Sequence, residues 1–262
     1  MVSREFGRRA VLALVFALIT LPTSRPAALI LEIEDAGNTQ APEDDPGWAN
    51  VGICDRWTAV YLVNGWVLTA RHVGPAKLNL EGVEYSVEAG SKRVVPNEDA
   101  TAADLVLFRI DSAPDLSTIH ISSSSPPVGS PVVMIGAGYG QSGRVFEAGR
   151  AGYRWSRRTK KLWGTNKVFK HLHDQTVGNT DTFATRFSIA KTRFEANAAR
   201  GDSGGAAFRH AGDRWELAGI ILATGSYGNQ TQRTTLYGNH TFIADLSRYR
   251  GFIHQVTGLY PD

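Results

Sequence analysis

The chain has 262 residues, 42% hydrophobic and 20% charged, with only 11 Pro, which is enough for a buried core and excludes collagenous, low-complexity and wholly disordered chains. Its single cysteine, Cys54, excludes intrachain disulfides and four-cysteine zinc modules, so stability has to come from packing. The formal charge of +3 is unevenly placed: residues 29–46 hold six acids and no Lys or Arg, whereas residues 47–262 carry a surplus of +6.

Residues 1–28 read as an export signal, with Arg4, Arg8 and Arg9 first, an apolar run from Ala10 to Leu21, and small residues ending at Ala27-Ala28. That run is too short to span a bilayer comfortably. The pair Arg8-Arg9 resembles a twin-arginine signal, and an uncleaved membrane anchor is the alternative reading. Secretion, or retention in the periplasm or cell envelope, is expected, and a disulfide-free exported chain suits a bacterial host better than an animal one. Residues 29–46, acidic and containing Gln40-Ala41-Pro42-Glu43-Asp44-Asp45-Pro46, read as a linker or short propeptide without a fold. No base accompanies Cys54 in its local sequence, so it reads as an apolar residue rather than a nucleophile.

From Trp48 onward, short apolar or alternating runs are separated by Gly, Asn, Asp and Pro. They predict strands over 58–63, 66–70, 105–110, 131–135, 182–189 and 215–223, with Asn64-Gly65 as a two-residue hairpin turn between the first two. Only residues 244–256 read as an amphipathic helix, with Leu246, Tyr249, Ile253 and Val256 at helical spacing. Many strands, one terminal helix and no helices between strands predict an all-β double sheet or barrel pair and exclude a doubly wound α/β fold.

Three segments carry chemistry. In Gly201-Asp202-Ser203-Gly204-Gly205 a serine is flanked by glycines, as a tight turn with amides aimed at a developing oxyanion requires. The predicted strand 66–70 runs into Arg71-His72, and Ala103-Asp104-Leu105 puts a carboxylate at the head of an apolar strand. Singly, these are a Gly-rich turn, a core histidine and a strand-entry residue. Together, in the order His72, Asp104, Ser203, they are the parts of a nucleophilic triad.

The segments Thr69-Ala70-Arg71-His72, Asp104-Leu105-Val106-Leu107 and Gly201 to Gly205 resemble the histidine, aspartate and serine motifs of trypsin/chymotrypsin-family serine proteases, of the disulfide-poor bacterial kind. Ile135-Gly136-Ala137-Gly138-Tyr139-Gly140, Trp215 to Ile221 and Phe242 to Ile253 are similar to quieter family segments, so the likeness runs over about residues 47–258. The resemblance implies two six-stranded antiparallel β-barrels meeting near residues 122–130, a short C-terminal helix, and a protease domain over 47–262. It implies that Ser203 attacks the scissile carbonyl, that His72 moves the proton, that Asp104 orients His72, and that the amides of Gly201 and Ser203 form the oxyanion hole. It also implies polypeptide substrates, a monomer, and no metal or organic cofactor.

Several positions depart from the family. The usual basic residue followed by Ile-Val-Gly-Gly is absent, the nearest segment being Asn50-Val51-Gly52-Ile53. Asp202, whose counterpart pairs with the freed amino group, is therefore expected either to meet a new N-terminus at Val51 or to be held by an internal cation or backbone donors. The residue resembling the base of the primary pocket is Asn197, not an acid, so a strict preference for Arg or Lys is not expected. The substrate-pairing strand is Leu222-Ala223-Thr224; Leu222 has no hydroxyl to support Asp104, and Thr224 narrows the pocket mouth. An uncharged, smallish substrate residue follows.

Between Arg144 and Lys170 lie nine basic residues and one acid, interleaved with Tyr153, Trp155, Trp163 and Phe169. This segment reads either as a cationic face for acidic substrates or an anionic surface, or as a solvated hairpin. No motif for nucleic acid accompanies it, and His171-Leu172-His173 is short of a metal site by further ligands. Gly138 to Gly143 matches Gly-x-Gly-x-x-Gly, but no helix is predicted after it. Two rivals remain: a binding module on the same fold without turnover, and an esterase using Ser203 with Asp245 and His254.

Overall fold

The structure, a computed structural model, describes residues 28–33 and 36–259. The proposed export signal, apart from Ala28, lies outside the described residues. Strand β1 is Ile30–Leu31. The N-terminal half then contributes β2 (Val51–Cys54), β3 (Trp57–Val63), β4 (Trp66–Ala70), β5 (Leu78–Leu80), β6 (Val83–Tyr85), β7 (Arg93–Pro96) and β8 (Ala102–Arg109). The C-terminal half contributes β9 (Pro131–Gly136), β10 (Tyr139–Glu147), β11 (Arg150–Thr159), β12 (Leu162–Val177), β13 (Thr180–Arg186), β14 (Ala196–Asn197), β15 (Ala206–Ala211), β16 (Arg214–Gly225), β17 (Thr234–Leu236) and β18 (His240–Asp245). Helix α1 spans Arg250–Thr257. The described residues are all-β with one α-helix, at the C-terminal end.

In the N-terminal half, seven strands lie in the order β6-β5-β2-β3-β4-β8-β7. Asn64 and Gly65 both take positive φ, +50° and +82°, as a hairpin turn matched to strand twist requires. The sheet curls back on itself: Val87, beyond β6, bridges Ile110, beyond β8, and Glu88 N and Asp111 N donate to the carbonyls of Arg109 and Ser86. Here the closing ladder is a few bonds between strand ends. The C-terminal half is a fully closed six-stranded barrel in the order β12-β13-β18-β16-β15-β9. Strands β8 and β16 are buried on both faces along most of their length, which is why their sequences are continuous apolar runs rather than alternating ones. One core joins the halves, since Leu68 and Leu105 pack in the same cluster as Ile135, Phe208, Leu222 and Ile253 of α1.

Two segments differ from expectation. Residues 29–46 are not fold-free: Ile30 and Leu31 pair with Asn197 and Ala196 of β14, and residues 28–31 are all essentially inaccessible to solvent. The flanking acids disguise a short apolar strap that is held by tertiary pairing. The predicted helix over 244–256 begins later, because Ala244 and Asp245 still pair within the barrel and the Asp245 side chain accepts from Ser247 N to cap a 3₁₀ turn, Leu246–Arg248; α1 follows only at Arg250. The basic segment, 144–170, runs through the β10–β11 hairpin, whose second strand pairs with β17, and on into the first half of β12.

Candidate active site

Strand register brings the first two candidate residues together. β4 pairs with β8, setting Ala70 opposite Leu105, and Arg71 N donates to Asp104 O at 3.1 Å. The next residue, His72, is thereby placed against the Asp104 side chain: His72 N donates to Oδ1 at 2.9 Å, and Nδ1 meets Oδ2 at 2.7 Å. A carboxylate only accepts, so this contact puts the proton on Nδ1 and leaves Nε2 as the basic nitrogen. Trp57 packs edge-on against the imidazole, 5.9 Å between ring centroids.

Asp104 is 8% exposed, and its cover comes from the other half of the molecule. Its amide donates to Thr180 Oγ1 at 2.7 Å, and Gly178, in the β12–β13 turn at φ +60°, leaves room where a Cβ would come within 2.9 Å of the Asp104 Cβ. Thr180 and Gly178 thus hold the Asp104 backbone and leave space for its side chain, while among the described residues the carboxylate itself is met by His72. Neither Thr180 nor Gly178 carries a local sequence signal for this contact.

Ser203 sits in a turn whose shape depends on Gly204. At φ +86°, a Cβ there would drive into the Thr58 carbonyl and the Thr69 hydroxyl. The turn is fastened to β3: Thr58 N donates to Ser203 O (3.1 Å), Thr58 Oγ1 donates to Gly201 O (3.0 Å), and Ala137 N donates to Thr58 Oγ1 (3.0 Å). Among the described residues the amides of Gly201 and Ser203 have no protein acceptor, which leaves both available to an oxyanion. The Ser203 hydroxyl donates to Leu222 O at 3.1 Å rather than to His72. Engaging the imidazole therefore means giving up the bond to Leu222 O.

Behind this turn, Asp202 is completely buried. Its Oδ1 accepts from Gly138 N and its Oδ2 from Ala199 N, each at 2.8 Å, and the Leu29 amide supplies a third backbone donor. Burial pushes the carboxyl up to about 7, against the pull of those amides. Backbone donors are therefore the partners of Asp202. Val51 is not one of them, since it is paired with Val60 inside the N-terminal sheet.

Of the expected substrate-binding residues, Ala223 and Thr224 line a cleft of about 300 Å³ together with His72, Ser203, Trp57, Trp155 and Arg200. Leu222 is buried and contributes its carbonyl to Ser203. Asn197 does not line this cleft. It is 1% exposed, with Nδ2 donating to Ala198 O and Oδ1 accepting from Thr241 Oγ1, and it borders a second cavity of about 110 Å³. Trp155, a wall of both cavities, was not singled out by sequence. Its place depends on β11 meeting β17, a pairing across about 80 residues.

The other candidates are accounted for locally. Cys54 is fully buried, its thiol pushed up to about 11 by desolvation, which is the state of an inert core thiol. His171 Nε2 contacts the Pro126 carbonyl. Asp245 is taken by Ser125 and Ser247, and β15 rather than a helix follows Ser203, so the strand-to-helix elbow that an esterase needs is not formed.

A family model described as Trypsin matches residues 36–250. Among solved structures, the chain is similar to Rv3671c from M. tuberculosis H37Rv, a serine-to-alanine mutant in an inactive form, with 13% identity over 88% of this chain and 97% of that one and a TM-score of 0.50. The inactive form of the Rv3671c protease gives 14% identity over 88% and 99% of the two chains, with a TM-score of 0.50. An HtrA-type protease, AlgW with a decapeptide, gives 19% identity over 76% and 51%, with a TM-score of 0.49. No curated protein matches by sequence. At these identities the two Rv3671c likenesses speak to the fold alone.

Proposed function

The chain belongs to the trypsin family, and on that premise we propose that it is an exported serine endopeptidase that hydrolyses peptide bonds through His72, Asp104 and Ser203. The observation that carries the reading is the 2.7 Å contact between His72 Nδ1 and Asp104 Oδ2 beside a cleft that Ser203 also lines.

The chemistry follows from the proton's position. With Nδ1–H held by Asp104, Nε2 takes the Ser203 proton as Oγ adds to the scissile carbonyl, and the buried carboxylate stabilises the imidazolium that results. The negative oxygen of the tetrahedral intermediate meets the amides of Gly201 and Ser203. Nε2–H then passes its proton to the leaving amine, which departs and leaves an ester on Ser203. Water, deprotonated by Nε2, attacks this acyl-enzyme; Ser203 regains its proton and the acid product leaves.

The exposed Arg144, Arg150, Arg154 and Arg157 give the β10–β11 hairpin a cationic edge, to which we assign attraction of anionic surfaces outside the cytoplasm. The test of the catalytic reading is fluorophosphonate labelling of residues 29–262. Wild type is expected to react, while Ser203→Ala and His72→Ala do not, and peptide turnover falls by about 10⁴-fold in each. A folded wild type that neither labels nor cleaves peptides would make the chain a binding module instead.

A further inference from the structure

We propose that Trp155 determines which substrate side chain the cleft accepts, by closing off its far end; the assignment rests on the endopeptidase reading and specifies its substrate. Trp155 is held at two points, one on its backbone and one on its ring. Trp155 N donates to Arg233 O at 2.8 Å, and Nε1 donates to Thr235 Oγ1 at 2.8 Å. Because Thr235 is also paired through its backbone with Tyr153, ring and strand are fixed together.

On one side of this ring lies the cleft of about 300 Å³ that contains His72 and Ser203, with Ala198, Ala199 and Ala223 as its small apolar walls. On the other lies the cavity of about 110 Å³ with Asn197. Among the described residues only Trp155 and Thr224 border both, so these two residues stand between the compartments. The two compartments differ in chemistry. The catalytic one sets three alanines and Ile221 beside His72, Ser203 and Arg200, whereas the cavity behind is polar, with Asn239 and Gln230 hydrogen-bonded to each other at 2.8 and 2.9 Å.

Among the described residues no Asp or Glu lines either compartment, while Arg200 borders one and Arg233 the other. A substrate lysine or arginine therefore finds no counter-charge. A short apolar side chain fills the space in front of the indole, and a long one meets the ring. Asn197, the pocket base by sequence position, is reached only if the partition is removed.

The experiment compares the wild type with Trp155→Ala, Trp155→Leu and Trp155→Phe, using peptides that differ only in the residue before the cut (Ala, Val, Met, Gln, Lys). Wild type is expected to favour Ala and Val over Met and Gln. Trp155→Ala is expected to raise the kcat/KM ratio of Met or Gln over Ala by roughly tenfold or more, Trp155→Leu by less, and Trp155→Phe, which keeps a ring in place, to retain the wild-type order. Fluorophosphonate labelling of Ser203 and a cooperative melting transition establish that each variant is folded and reactive. Should Trp155→Ala fail to fold, the Leu and Phe variants carry the comparison. An unchanged ratio in a folded, labelled variant overturns the proposal, as does a wild type that cuts after Met or Gln as readily as after Ala. Absence of labelling in the wild type refutes the endopeptidase reading instead, and is told apart from both.

Discussion

The burial of Asp202 sets a sign for the pH dependence of stability. Its carboxyl is pushed up to about 7 from an ordinary 3.8, so between those values the native chain holds a proton that the unfolded chain has released. Stability then falls as pH rises across that window, because the slope follows the protons bound in the unfolded state less those bound in the native one. A shift of about three units at roughly 1.4 kcal/mol each makes the loss about 4 kcal/mol, a large part of a typical domain's 5–15 kcal/mol. The assay is urea unfolding at intervals from pH 4 to 8, with Ser203→Ala throughout to prevent self-digestion. Asp202→Asn on that background has no such proton to lose. The stability advantage of the chain that keeps Asp202 over the Asp202→Asn variant should therefore shrink by about 4 kcal/mol between pH 4 and a little above 7. Other groups, including Glu195, which burial also pushes up to about 7, largely cancel in the difference. A difference that is flat with pH, or that grows, would refute the reasoning.

Gly204→Ala places a methyl group against the Thr58 carbonyl at positive φ, and is expected to cost upward of about 4 kcal/mol and to abolish labelling of Ser203, as read by thermal melting and fluorophosphonate reaction. Thr180→Val leaves the Asp104 amide without its acceptor; a loss of about 1–3 kcal/mol and a fall in kcat larger than any change in KM are expected from unfolding and steady-state kinetics. Ile30→Ala empties a fully buried position and should destabilise by about 2–5 kcal/mol in urea, whereas a true linker residue would show no effect. With its thiol at about 11, Cys54 is ionised to roughly one part in a thousand at pH 8, so a disulfide reagent should react only after unfolding and leave peptide hydrolysis unchanged.

What could be read in the sequence was what the chain encodes over short distances. His72 follows a strand by two residues, Asp104 lies within another, and the serine turn is five contiguous residues, so each had a local signature. The residues that complete the site do not. Thr180 and Gly178 support Asp104 from more than 70 residues away, and nothing in their own neighbourhood announces that contact. Trp155 lay in a segment whose charge dominated its appearance, and its wall-forming place comes from β17. The strap at residues 28–31 is too short to show a strand period, and the acids after it outweighed it in composition. For Asp202 the sequence allowed backbone donors as one alternative but could not say which, because every residue except proline possesses an amide.

Thr58 gives the two halves a shared dependency. This one residue receives the Thr69 hydroxyl on its carbonyl and joins, through its own amide and hydroxyl, Ser203, Gly201 and Ala137. Its side chain thus spans the seam at which a recombined gene would be cut. A chimera that pairs the N-terminal sheet of one relative with the barrel of another inherits a working serine turn only if a hydroxyl stands at this position and at this depth. Folding of each half is therefore a weaker requirement than their compatibility, and libraries built by exchanging halves are best filtered first on residue 58.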